Sequence, residues 1–326
     1  MKTKKLLTLA VLLLLGCAGG PSDSASPSPS PQPTLTLSEE EIKKLWSEVN
    51  GLERGNLMNI SKDPARSLEL LSRLAEDAEE YVDCNCPTTD ELQWFSFPTL
   101  FERLAYRRVE SDPRELRDPG EPMDRLYADL ALACVHVGDY GMAVEALRHA
   151  VRWNPMGCEH RLNLADLYYN EGDVREYLAL SFSVFERASD VRHLARAFAN
   201  FADYFIVCEK PQVAAASLRA ARRLDANDAS LAAALDQAAG TDHDPDLVDD
   251  QECHDILAQE GLPDGANAEI AVCLLLCATD AARSGQRDVA TDLTVRARDL
   301  VGDDAAKMLL EAIRADDEEG SDGNAR

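Results

Sequence analysis

Residues 124–155 run DRLYADLALACVHVGDYGMAVEALRHAVRWNP, and the pattern of this stretch decides the fold. Tyr127, Leu130, Ala131 and Cys134 return every three or four residues, which places them on one face of a helix. Gly138 and Tyr140 mark a turn, Ala143, Leu147 and Ala150 form the face of a second helix, and Pro155 closes the unit. The unit then repeats. Leu130-Ala131 recurs 34 residues later as Leu164-Ala165, and Gly138-Asp139 recurs as Gly172-Asp173. The second unit carries Arg161, Leu164, Ala165, Tyr168, Gly172 and Tyr177. A third starts three residues late with Phe198, Phe201, Ala202, Phe205, Ala214, Leu218 and Ala221. Asn227 and Asp228 lead into a degraded fourth unit, with helices expected near Ala229–Ala239 and Leu247–Glu260. Leu274, Cys277, Ala278, Gly285, Ala290 and Ala297 make a fifth. A helix over Asp304–Arg314 is expected to cap the stack, and the acidic tail 315–326 is expected to be disordered.

Small alanines at the helix crossings let two backbones approach, and larger residues fill the gaps between them. A helix–turn–helix repeat of this length resembles the tetratricopeptide family. The resemblance implies an all-α fold in which residues 123–314 form a right-handed superhelix of helix pairs. Arg161 stands where that family prefers an aromatic residue, and Ser181 where it prefers a bulky apolar one. The resemblance also implies a concave groove lined by the first helix of each unit. By position that groove holds Arg125, Asn163, Asp166, Tyr169, Asn170, Arg196, Asn200 and Asp203. Family members that clamp chaperone C-terminal carboxylates need Lys and Asn in the first unit. Here Ala128 and Leu132 occupy those places, although Asn163 and Arg196 match later ones, so the resemblance does not extend to that ligand.

Upstream, Lys2, Lys4 and Lys5 precede the apolar run Leu6–Leu15, which is too short for a bilayer-spanning helix and fits the core of a secretory signal, residues 1–16. The run ends in Leu14-Leu15-Gly16-Cys17, which resembles the lipobox of bacterial lipoproteins. That resemblance implies cleavage after Gly16 and acylation of the Cys17 thiol. Ala18, rather than Asp, follows the cysteine, which implies the outer membrane if the source is Gram-negative. Residues 17–37 alternate proline and serine and read as an extended linker. An N-terminal helical region, 38–122, follows. Ser38 with Glu41 makes a capping box before Ile42, Leu45, Trp46 and Val49. Asp63-Pro64 opens a second helix, and a third, interrupted at Pro98, is expected over Thr89–Val109.

The net charge of −26 repels phosphate backbones and argues against nucleic acid as a partner. It favours a basic partner instead, steered with a rate that falls as salt rises. Nine cysteines leave eight after Cys17, an even number compatible with disulfides. Cys134 and Cys277 sit at helix packing positions. Cys253 and Cys273 flank the turn at Leu262-Pro263-Asp264 and are the one pair expected to bridge. Cys84-Asn85-Cys86 is read as a loop element, since no histidine accompanies it as a metal ligand. The acidic stretch Asp242, Asp244, Asp246, Asp249, Asp250 and Glu252 starts like a calcium loop, but Leu247 stands where the sharp-turn glycine belongs and Cys253 where the bidentate glutamate belongs. Trp94, Phe95, Phe97 and Phe101 suit either a ligand platform or a core. No catalytic constellation stands out among the six histidines, and no metal site or cofactor is implied.

These features point to a membrane-anchored envelope lipoprotein that acts as a protein-interaction scaffold; the alternative is a surface lipoprotein that binds a glycan or a peptide. The layout is similar to lipoproteins that assist outer-membrane protein or secretin assembly, in fold and anchor only. Cys17→Ala is expected to leave folded protein unprocessed or released from lipid. Radiolabelled palmitate should enter the wild type alone, and equal incorporation in the variant would refute the anchor.

Overall fold

The computed structural model describes residues 57–323, which are all-α apart from two three-residue strands. The signal peptide, Cys17, the linker and the stretch from Ser38 to Val49 lie outside the described residues. The described chain opens with α1 (Leu57–Lys62) and α2 (Pro64–Asn85). Asp63 caps α2 by accepting from Arg66 N, with Pro64 in the first turn, where a missing N–H costs nothing.

Residues 89–109 differ from the single interrupted helix expected. Leu92–Trp94 is a strand, β1, paired in parallel with β2 (Glu115–Arg117), and only Leu100–Val109, α3, is helical. Pro98 disfavours helical backbone at the residue before it, and the capping box of Thr99 and Glu102 starts the helix two residues later. Gln93, the middle residue of β1, is buried, and Tyr106 OH donates to its Oε1 at 3.2 Å.

Six helices follow: α4 (Met123–Val137), α5 (Tyr140–Trp153), α6 (Cys158–Glu171), α7 (Val174–Phe185), α8 (Val191–Val207) and α9 (Pro211–Arg223). They pair as three hairpins, α4 with α5, α6 with α7 and α8 with α9, and each hairpin packs on the next. The repeated Gly-Asp dipeptide makes the first two turns. Gly138 and Gly172 end their helices in the left-handed region, at φ 82° and 81°. Asp139 and Asp173 then start the next helix by accepting from Met142 N and Glu176 N. The third turn has no glycine, and Glu209 takes φ 56° in its place. Ala131, Ala143, Ala150, Ala165, Ala202, Ala214 and Ala221 are all buried at the crossings. Upstream, α2 packs on α4, with Tyr127 OH donating to Glu79.

The regular pattern stops at the fourth unit. Helix α10 (Ala229–Ala238) lies on α8 and α9, whereas α11 (Asp250–Glu260) lies on α9, so the two do not form a hairpin. Cys253 and Leu257 of α11 are buried in one core cluster with Ala214, Ala216 and Ala220 of α9, and exposed ion pairs accompany the contact: Arg219 Nε donates to Asp250 at 2.7 Å and Arg222 Nη2 to Asp246 at 2.7 Å. Asp244 accepts from Gly240 N and Asp246 N, and Asp249 caps α11. The acidic stretch is therefore tied to α9 and to its own backbone. Among the described residues no three His, Cys, Asp or Glu side chains converge as metal ligands would. The fifth hairpin, α12 (Ala268–Arg283) with α13 (Arg287–Val301), packs against α3 and α8. Helix α14 runs from Asp303 to Gly323, past the expected end near 314 and into the stretch expected to be disordered. Leu309, Leu310 and Ile313 hold its first part on the core.

The expected Cys253–Cys273 disulfide is absent from the structure, where both are buried free thiols. Their helices pack on different partners, α11 on α9 and α12 on α13 and α3, and Cys253 Sγ donates to Ala216 O at 3.2 Å. Burial holds the Cys134 and Cys273 thiols near 11 and that of Cys158 near 12, which suppresses the reactive thiolate. Iodoacetamide should label the exposed Cys208 first and reach Cys134, Cys158, Cys253 and Cys273 only after denaturation. A peptide linking Cys253 to Cys273 in a non-reduced digest would contradict this arrangement.

Candidate functional site

Asn163 and Asp166 are one turn apart on α6, so both side chains emerge on the same face. Arg196 emerges from α8 opposite them and spans the gap. Its Nη1 donates to Asn163 Oδ1 at 3.0 Å and its Nη2 to Asp166 Oδ2. The planar guanidinium thus fixes the register between two neighbouring hairpins while Asp166 stays about half exposed. One turn further along α6, Tyr169 is 49% exposed, its ring 5.0 Å from that of Tyr177 on α7. Burial pushes the Tyr177 phenol up, and the carboxylates of Asp203 and Asp166 push it further. Asp203 itself is raised by desolvation. An acidic and aromatic patch centred on Arg196 therefore faces outward between α6 and α8.

Of the eight residues expected in the groove, Asn163, Asp166, Tyr169, Arg196 and Asp203 contribute to this patch. Arg125 on α4 and Asn170 near the end of α6 are exposed. Asn200 departs from the expectation: it is only 7% exposed, and its Nδ2 donates inward to Ser181 Oγ at 2.9 Å. Its backbone oxygen also accepts from Tyr177 OH at 3.1 Å. Asn200 thus locks α7 to α8 and supports the patch from beneath. The fully buried Ser181, a polar residue where a bulky apolar one was expected, was the visible sign that it needed a polar partner.

Arg161, the other departure from the family pattern, is equally accounted for. It donates through Nε and Nη2 to Pro155 O and through Nη1 to Ser183 Oγ. Burial, with Arg187 nearby, lowers it to about 10. Arg187 in turn pairs with Glu110 at the end of α3. Sequence reasoning missed this link because its two partners lie 77 positions apart.

The aromatic group divides. Phe101 belongs to the core, under the guanidinium of Arg296 at 5.4 Å. Trp94 donates from Nε1 to Pro87 O at 3.0 Å and lies beneath Arg117. Phe95 and Phe97 are half-buried and line an open cavity. Cys86 ends the CxC pair as a buried thiol held near 11.

Asn200→Ala is expected to destabilise the protein by about 1–3 kcal/mol, since it leaves the buried Ser181 hydroxyl unpaired. Combining Asn200→Leu with Ser181→Ala should recover most of that loss in urea unfolding. Additive losses in the double variant would show that the two side chains are not coupled. Neither a family model nor a curated protein matches this sequence.

Proposed function

We propose that the chain is an exported lipoprotein, anchored through acyl chains on Cys17, whose helical hairpins bind a protein or peptide partner in the cell envelope. In a Gram-negative source the membrane would be the outer one. Among the described residues no helix is long and apolar enough to cross a membrane, and in this reading the anchor is the lipid. The scaffold role requires no cofactor and no catalysis.

One observation carries the reading. Asp166, Arg196, Asn163 and Tyr169 form a half-exposed set of donors, acceptors and one aromatic ring, held in register by two packed hairpins. Such rigid mixed surfaces suit recognition of a segment by hydrogen bonds, with Tyr supplying contact area at little entropic cost. A second feature supports it. Val137 and Tyr140 at the α4–α5 turn, Val174 at the α6–α7 turn and Val207 at the α8–α9 turn are exposed apolar residues at corresponding hairpin ends.

Capture from detergent-solubilised membranes tests the proposal. Asp166→Ala with Tyr169→Ala should change the helical melting curve little, because both side chains are about half exposed. Capture of a stoichiometric partner should fall about tenfold or more, at least ~1.4 kcal/mol. Undiminished capture by the folded double variant would move the interface off the α6–α8 face.

A further inference from the structure

We propose that the face between α6 and α8 seats an arginine side chain of the partner, its guanidinium over the ring of Tyr169 and paired with the carboxylate of Asp203. The inference rests on the scaffold reading and deepens it, because it names the chemistry that the partner presents.

Tyr177 of α7 gathers the seat. Its hydroxyl donates to Asn200 O of α8 at 3.1 Å, and its ring lies 5.0 Å from the ring of Tyr169 on α6. Asp203 stands one turn beyond Asn200 on α8, near enough for its charge to act on the Tyr177 phenol. Tyr177 itself is buried. What reaches solvent around it is the Tyr169 ring, about half exposed, and the exposed Asp203.

Asp203 differs from the other acid of the patch. Asp166 is matched by Arg196, and Arg196 is committed further, since Asn163 accepts from its other terminal nitrogen. Among the described residues no hydrogen bond or ion pair engages the Asp203 carboxylate. No neighbouring cation draws its carboxyl down, and desolvation alone moves it, upward. A partly desolvated carboxylate without a counter-charge is the group that gains most when a partner brings one.

The exposed ring selects the form of that cation. A guanidinium is flat and weakly hydrated, so it stacks on an aromatic face while its edge donates to a carboxylate; an ammonium is a compact, strongly hydrated charge. The protein uses the same arrangement within its own fold. The Arg117 guanidinium lies over Trp94, 5.9 Å from the ring centre, while its Nε donates to Glu115 Oε1 at 3.0 Å. Tyr169 and Asp203 supply an equivalent ring and carboxylate from two neighbouring hairpins, and here the arginine comes from the partner. The net charge of −26 draws a basic segment toward the chain. Charges beyond about 8 Å are screened at physiological salt, so the seat itself makes the final selection.

Titration of the full-length chain in detergent with the acetylated, amidated tripeptide Gly-Arg-Gly tests the seat. The same peptide with citrulline or lysine in place of arginine serves as comparison. The arginine peptide should bind saturably, the neutral citrulline peptide about tenfold or more weakly, and the lysine peptide about threefold or more weakly. Asp203→Asn should weaken the arginine peptide about tenfold and leave the melting curve unchanged, because the carboxylate holds no partner in the fold. Tyr169→Leu should weaken it about fivefold. Asp288→Asn, which removes one exposed charge from α13, should leave it unchanged and so excludes diffuse attraction. No saturable binding, arginine no better than citrulline or lysine, or an Asp203→Asn variant as good as wild type would each overturn the assignment. Capture from membranes keeps the two readings apart. Capture lost in the Asp166→Ala, Tyr169→Ala variant but undiminished in Asp203→Asn would leave the scaffold standing and overturn the arginine seat. Saturable, Asp203-dependent binding of the arginine peptide without any captured partner would support the seat and count against the scaffold.

Discussion

Two helix backbones come close only where no side chain stands between them, and alanine provides that condition throughout this protein. Ala133, Ala143, Ala150, Ala165, Ala195, Ala197 and Ala214 have no exposed surface. They let larger residues such as Met123, Leu162 and Phe198 settle between the helices without exposure. The functional geometry depends on the same spacing. Arg196 reaches Asn163 and Asp166 on the neighbouring hairpin only because α6 and α8 lie close enough for one guanidinium to touch both. Enlarging a buried alanine at a crossing would force its helices apart at a cost of about 1–3 kcal/mol.

Polar residues inside the array secure it at points where the apolar pattern is broken. Ser181 meets Asn200, Asp124 accepts from Asn154 Nδ2 at 3.1 Å, and Arg161 closes the loop at Pro155. Each is a buried group matched by a partner on another element, the condition under which a buried polar residue does no harm. Such pairs also fix one arrangement among several that apolar packing alone would tolerate.

The hairpins were legible because their signals are local. A period of 34 residues, Gly-Asp at the turns and alanines at fixed intervals all act within a few residues of one another. The same holds for Asn163, Asp166 and Arg196, whose positions follow from the period. What escaped the sequence depends on distant partners. The strand pairing of Leu92–Trp94 with Glu115–Arg117 needs the intervening helix to be placed first. Cys253 and Cys273 looked like facing residues across a turn, but α11 buries Cys253 against α9, where its thiol meets Ala216 O, while α12 pairs with α13. Asn200 had the spacing of a groove residue and turned inward because Ser181, 19 positions earlier, offered a hydroxyl.

The contact of α3 with α12 changes how the molecule should come apart. In a linear repeat array each unit touches only its neighbours, and the last one can fray while the others persist. Here Phe101, Ala105 and Tyr106 share a core cluster with Ile270, Cys273 and Leu274, and Arg108 reaches Glu269 at 3.7 Å. Early and late segments of the described chain therefore complete one another. Loss of the last hairpin would uncover the α3 face as well, so fraying at one end is felt at the other and unfolding becomes more concerted. During synthesis α3 has to wait for residues beyond 267 before its apolar face is covered, which makes this a chain that folds late and largely as a unit.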